Sequence, residues 1–530
     1  PIRVLSILVL IVASIGLPVH AKVQPAALFG DGMVLQRGEE VAVWGWADPG
    51  EAVTVTLAGK SVKTAAGQDM AWRVTIAPPK AGGPYTLTIE GENTVTVKDV
   101  LVGDVWICSG QSNMVWPLHR CDNAAEEIAA ADHPKIRLFK VERRISVAPR
   151  KNTKGSWQVC TPESARHFSG VGYFFGRALR RHLDVPIGLI EADWGGTPSE
   201  AWTSALTVRS NEAFAPIVER WTEYIEAYPE AYQQHKQKIE EWNRSDKVVA
   251  WRKAAKEAKA KGQRPPRPPR KPRPPRGPNH HHRPSNLYNG LIYPLIPYTM
   301  RGVIWYQGES NSRRAAQYRE IFPLMIEDWR TQWGGEAFPF LFVQLANYRH
   351  PKPEPGDDAW AELREAQTMT LKRVPKTGMA VAIDCGEVNT IHPGDKKTVG
   401  ERLALAARAV AYGEDIVYSG PIYKGMKKEG GRVRLSFDRV GGGLMAGRDG
   451  KADALKGFAI AGADKKFVWA EARIDGDEVV VSSEKVPEPV AVRYAWQINP
   501  PCNLYNKEGL PASPFRTDDW PGMTEESLKP

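Results

Sequence analysis

Cysteine is scarce in this 530-residue chain, with five at positions 108, 121, 160, 385 and 502. An odd and widely spaced set excludes a disulfide-built scaffold. One or two bridges stay open for an exported protein, while Cys108 and Cys385 stand in apolar, strand-like contexts and read as buried thiols. Long apolar runs are missing too. The single candidate, from Val4 to Leu17, is shorter than the roughly 20 residues a spanning helix needs. With Arg3 before it and Pro18-Val19-His20-Ala21 after it, the run has the order of a secretory leader cleaved after Ala21. We therefore expect residues 1–21 to be removed and the mature chain to be secreted or periplasmic, without stable membrane insertion. Most of the chain also lacks net charge. The formal charge is +10, and residues 251–276, with eleven Lys or Arg against Glu257, carry that whole excess. Its Pro-rich part, Arg264 to Pro278, has no interleaved aromatics, so it reads as a solvated extended arm and not as a nucleic-acid interface.

What is present divides into three patterns. From Lys22 to about Thr96, alternating segments such as Val41–Trp46, Val53–Leu57 and Tyr85–Ile89, separated by turn residues, predict a small antiparallel sandwich over 22–97. From 98 to about 425, strands alternate with helices: strands at Val102–Cys108, Ile187–Ala192, Gly302–Tyr306 and Phe338–Gln344, helices at Val171–Leu183 and Lys397–Tyr412. That alternation predicts an α/β unit with a mainly parallel sheet. A helical and Pro-rich insertion, 207–284, interrupts it. Beyond 426 the pattern is β again, with Asp475-Gly476 as a hairpin signal.

Three segments place polar groups just past apolar strands. Trp106-Ile-Cys-Ser-Gly-Gln-Ser112 runs into a small-residue turn, where Ser112 stands as a candidate nucleophile. Serine needs a neighbouring base and donors for the oxyanion that forms on the attacked carbonyl. The elbow Gly-x-Ser-x-Gly is absent, because Met114 occupies the second glycine position, which disfavours the α/β-hydrolase family. His392, between the strand read at Met379–Asp384 and the helix starting near Lys397, is the best-placed base of eleven histidines. Asp193-Trp-Gly195-Gly196-Thr-Pro198 offers bare backbone N–H groups at a strand end, and Gln307 ends another strand. Glu309 reads as a structural carboxylate. His280, His281 and His282 have no metal-ligand spacing beside them and read as an exposed polar loop.

These segments, in this order, resemble the sialate O-acetylesterase family, a carbohydrate-esterase branch of the SGNH-hydrolase superfamily. The resemblance also rests on Leu28-Phe-Gly-Asp-Gly-Met-Val-Leu-Gln-Arg37, Phe168-Ser-Gly-Val-Gly-Tyr-Phe-Phe-Gly176, Gly195-Gly-Thr-Pro-Ser-Glu-Ala-Trp202, Leu287-Tyr-Asn-Gly290, Trp360-Ala-Glu-Leu-Arg-Glu-Ala-Gln367, Asn503-Leu-Tyr-Asn506 and Gly509-Leu-Pro-Ala-Ser-Pro-Phe-Arg-Thr517. It implies an SGNH-hydrolase-like three-layer α/β/α domain with accessory β units at the N-terminal (22–97) and C-terminal (426–530) sides. It further implies Ser112 as nucleophile, His392 as base, and Ser112, Gly195, Gly196 and Gln307 around the oxyanion. The superfamily commonly has Asp three residues before the histidine. Here that position is Asn389, which leaves a backbone carbonyl, Asp384, Glu387 or no group at all to orient His392.

The function so implied is an exported serine esterase removing O-acetyl groups from sugars through an acetyl-enzyme, with no metal or organic cofactor. An acetylxylan or other polysaccharide acetylesterase uses the same chemistry on another glycan. A carbohydrate-binding protein on a disabled esterase scaffold is the reading from another class, and the missing aspartate is its only support.

Overall fold

The computed structural model describes residues 22–528, so the leader expected at 1–21 lies outside the described residues. The organising element is one 17-residue strand, β1 (Thr94–Gly110), which changes partners along its length. Its first half pairs antiparallel with Gly82–Glu90 and parallel with Val34–Gln36. Its second half is the central strand of a sheet completed by β2 (His133–Lys140), β3 (Trp157–Cys160), β4 (Ile187–Asp193), β5 (Gly302–Tyr306), β6 (Phe340–Gln344) and β7 (Thr377–Val381). The order is β3-β2-β4-β1-β5-β6-β7. All neighbours are parallel except the edge strand β3, which runs antiparallel to β2. Every residue of β4, β5, β6 and β7 is buried, as expected of strands covered on both faces and written as near-continuous apolar runs.

Four helices pack on this sheet and on one another: α1 (Gly170–Leu183), α2 (Ala315–Gln332), α3 (Ala359–Arg373) and α4 (Lys396–Tyr412). Contacts join α1 to α4 and α2 to α3. Their limits follow from local chemistry. Ser169 caps α1 by accepting from the Gly172 N–H, and Asp395 caps α4 by accepting from the Thr398 N–H. Gly413, at φ +70°, ends α4 in the left-handed conformation that costs glycine nothing.

The N-terminal residues add a three-stranded sheet of Gln24–Pro25, Val41–Trp46 and Ala71–Ile76 beside the strands attached to β1. The C-terminal residues form two four-stranded antiparallel sheets around their own apolar core, which includes Val433, Leu435, Phe458, Val479, Val492 and Phe515. The hairpin signalled by Asp475-Gly476 is there, with Asp475 opposite Glu478. The insertion is helical at Ala215–Glu226, Tyr228–Arg244 and Asp246–Ala260, then largely exposed without regular structure through the Pro-rich arm. All five cysteines are free thiols, four of them buried, so neither of the bridges open to an exported protein is formed. Among the described residues no helix is long and apolar enough to cross a membrane.

Candidate active site

Strand register brings the candidate residues together. Asp193 at the end of β4 and Tyr306 at the end of β5 both lie opposite Gly110 at the end of β1. Three neighbouring strands thus stop at one level, and each hands its next residues to the same crevice: Trp194-Gly195-Gly196, Gln111-Ser112 and Gln307-Gly308-Glu309. This is the carboxyl edge of a parallel sheet where the order of strands reverses, the usual place for a ligand in such sheets. The turn after β1 requires its glycine. Gly110 has φ +137°, and a Cβ there would lie 2.2 Å from the Tyr306 carbonyl oxygen.

Ser112 opens a four-residue helix, and its Oγ lies 2.8 Å from Nε2 of His392. A Cβ added to Gly195 would meet the Ser112 Cβ at 3.4 Å, so the two residues are in contact. Gly196, at φ +72°, borders open space. Among the described residues the backbone N–H groups of Ser112, Gly195 and Gly196 donate to no protein acceptor. Gln307 is fully buried, and both its amide hydrogens are already committed, to the Thr197 carbonyl at 3.1 Å and to Asn311 Oδ1 at 2.6 Å. Its Oε1 accepts from the Tyr318 hydroxyl. The amide thus braces the glycine turn from behind and is not a free donor toward Ser112, unlike the family expectation.

The group that orients His392 is no carboxylate. Asp384 is paired with Arg402 at 2.6 and 2.8 Å, and Glu387 accepts from the Gly394 N–H. Asn389 is exposed and makes no hydrogen bond among the described residues. Ser112 is the only hydrogen-bond partner of the imidazole among those residues. The ring instead stacks on Trp116, with centroids 5.0 Å apart and planes 16° from parallel. Its loop is pinned on both sides: the Ile391 carbonyl accepts from Asn113 Nδ2 at 3.0 Å, and the Pro393 carbonyl accepts from Lys396 Nζ.

Those two donors belong to a buried polar chain that sequence reasoning missed. Asn113 Oδ1 accepts from Lys396 Nζ at 2.9 Å, and Asn113 Nδ2 also donates to Glu309 Oε1 at 2.6 Å. Glu309, read from sequence as structural, therefore ties β5's loop to the residue next to Ser112. Burial holds its carboxyl above the usual range, and burial brings the Lys396 ammonium down to about 8. Burial, then the charges of Lys396 and Arg120, lowers the pKa of His392, which favours the neutral imidazole. The only sequence signal for Asn113 is its place beside Ser112. Lys396 at a helix start carries none.

The three histidines also differ from expectation. His280, His281 and His282 are half-buried against the glycine turn. The His281 ring stacks on Trp194 at 5.9 Å, and the His282 ring meets His281 edge-on at 4.4 Å. Their proximity to one another is no metal site: among the described residues no three His, Cys, Asp or Glu side chains are placed to hold an ion.

Comparison with known proteins agrees with this architecture. The family described as carbohydrate esterase, sialic acid-specific acetylesterase, matches residues 102–256 and 281–409. Mouse sialate O-acetylesterase is 32% identical over 97% of this chain and 98% of its own length. The chain belongs to the sialic acid-specific acetylesterase family. The human sialate O-acetylesterase is likewise 32% identical, over 95% of each chain. A carbohydrate acetylesterase from Xanthomonas citri has a crystal structure similar to this one, with a TM-score of 0.78 and 39% identity over 94% of this chain and all of that one. As a member of the sialic acid-specific acetylesterase family the protein is a carboxylic ester hydrolase. The family match skips 257–280, which contains the Pro-rich arm and His280.

Proposed function

We propose that the protein is a serine esterase that removes O-acetyl groups from sugars of the sialic acid type, through an acetyl-enzyme on Ser112. The contact between Ser112 Oγ and His392 Nε2, at the carboxyl edge of the sheet and against Gly195, carries this reading. His392 takes the hydroxyl proton as Oγ bonds to the acetyl carbon. The oxyanion is met by the N–H groups of Ser112 and of Gly195 or Gly196, each worth roughly 2.7–4 kcal/mol at a preorganised site. The sugar oxygen leaves with the proton from His392. Water then gives a proton to the same imidazole and attacks the acetyl carbon; the bond to Ser112 Oγ breaks, Oγ takes the proton back from His392, and acetate leaves. Stacking on Trp116 and the pinned loop do the orienting that a carboxylate does in a Ser-His-Asp triad.

The same reading takes β1–β7 with α1/α4 and α2/α3 as the three layers of an SGNH hydrolase, the flanking β units as accessory domains, and the chain as exported. The test is acetate release from O-acetylated sialic acid and from acetylated xylan, with phenyl acetate as a glycan-free ester. Ser112→Ala should lower turnover of all accepted esters by roughly 10⁴-fold or more. Preference for xylan would keep the mechanism and change the substrate. Turnover unchanged in Ser112→Ala would remove the mechanism.

A further inference from the structure

A ladder of rings leads away from the glycine turn into the insertion. Trp194 adjoins Gly195, and His281 stacks on it with planes 18° apart. His280 stacks on His281 at 4.5 Å, Trp221 packs on His280 at 5.7 Å, and Tyr224 meets Trp221 edge-on at 5.5 Å. Two arginines stand at the far end. Arg276 donates from Nη1 to the Tyr224 hydroxyl at 3.0 Å and covers that ring at 5.0 Å. Arg220 is half-buried and has neither an ion pair nor a hydrogen bond among the described residues, although it is close enough to feel Glu200, Arg314 and Arg276. The nearby acid cannot neutralise it: Glu200 Oε1 is held by Arg314 at 2.7 Å and Oε2 by Asn311 at 3.0 Å.

A partly desolvated guanidinium with no counter-ion is costly to keep unless something anionic visits it. The surrounding groups do not supply that anion. Burial and mutual repulsion bring His280 and His282 down to about 4, so at neutral pH they are uncharged donors and acceptors, not competing cations. We propose that Arg220 and Arg276 form the subsite for the carboxylate of an acidic O-acetylated sugar, whose body lies along the Trp194–His281–His280 wall while its acetyl group reaches Ser112. The proposal rests on the esterase reading for where the ester goes, and it adds what holds the rest of the sugar. The Pro-rich arm then has a purpose, since it delivers Arg276 from a segment that the family match does not cover.

Binding tests the subsite apart from catalysis. Calorimetric titration of the mature protein with N-acetylneuraminic acid and with its methyl ester should show the free acid binding ~10–100-fold more tightly, the usual effect of a charge-assisted pair. Arg220→Gln should bring the two ligands to near equality, and Arg276→Gln, at an exposed position, should narrow the gap several-fold. Thermal midpoints check that the variants fold; Arg276→Gln keeps the test alive should Arg220→Gln not. Equal binding of acid and methyl ester to the unmodified protein, or a gap unchanged in the folded variants, overturns the subsite. Phenyl acetate turnover reports separately on the Ser112 chemistry, so an inactive protein that still prefers the free acid would sink the esterase reading and keep this one.

Discussion

Asn113 spends its whole side chain on three partners drawn from distant parts of the sequence, Glu309, Ile391 and Lys396. Such a junction is invisible before folding, because no spacing rule links positions 113, 309 and 396. Ser112 and His392 are legible for the opposite reason: each sits where an apolar run stops and a short polar turn begins. Lys396 gives the junction a kinetic signature. Its charge and that of Arg120 add to burial in lowering the pKa of His392, and in the proposed mechanism that imidazole works only when neutral. The acid limb of kcat/KM should therefore lie below the ordinary histidine value of 6.5. In Lys396→Met one of these charges is gone, so the limb should move to higher pH. A purely structural lysine would lower the plateau and leave the limb where it was.

At the scale of elements, most strands and helices are readable to within a few residues, but β1, expected at Val102–Cys108, starts eight residues earlier at Thr94. Gly302–Tyr306 matches residue for residue, and α4 begins one residue before the expected Lys397. Apolar runs between turn residues have only one way to be buried in a parallel sheet. The histidine triple is not the exposed loop its spacing suggests, because its cover, Trp194 and Trp221, comes from elements far from it in sequence. Burial within the strands has measurable consequences. Gly110→Ala would place a methyl group against the Tyr306 backbone at a φ alanine resists, costing roughly 2–4 kcal/mol; denaturant midpoints measure this, and a neutral result would mean the β1–β5 contact is loose. In β4, Glu191 is held well above the usual carboxylate range, first by burial and then by Asp193. A raised folded-state pKa means stability present at acid pH and lost as pH rises through that value. Glu191→Gln should flatten this decline in denaturant midpoints measured from pH 5 to 9, and parallel curves for the two proteins would refute the assignment.

For the molecule as a whole, the feature that matters is β1. The sequence boundary read at residues 97 and 98 falls inside this strand, so the N-terminal β unit and the central parallel sheet share backbone hydrogen bonds. Removing residues 22–93 would strip the partners from Val97, Val100, Leu101 and Val102, all now buried. An apolar edge of that kind pairs with other chains. The truncated protein is expected to elute as aggregates in size-exclusion chromatography; a monodisperse, active product would show that the β unit is dispensable.

The same strand sets a schedule for synthesis. The partners of its first half leave the ribosome at once with it or before it, but Gly302–Tyr306, which flanks its second half, comes far later in the chain. At about 5–20 residues per second the strand leading to Ser112 waits roughly 10–40 s for this second flank, with Ile187–Asp193 the earlier neighbour on its other side. During that interval the strand end that carries Ser112 keeps one edge open to other chains.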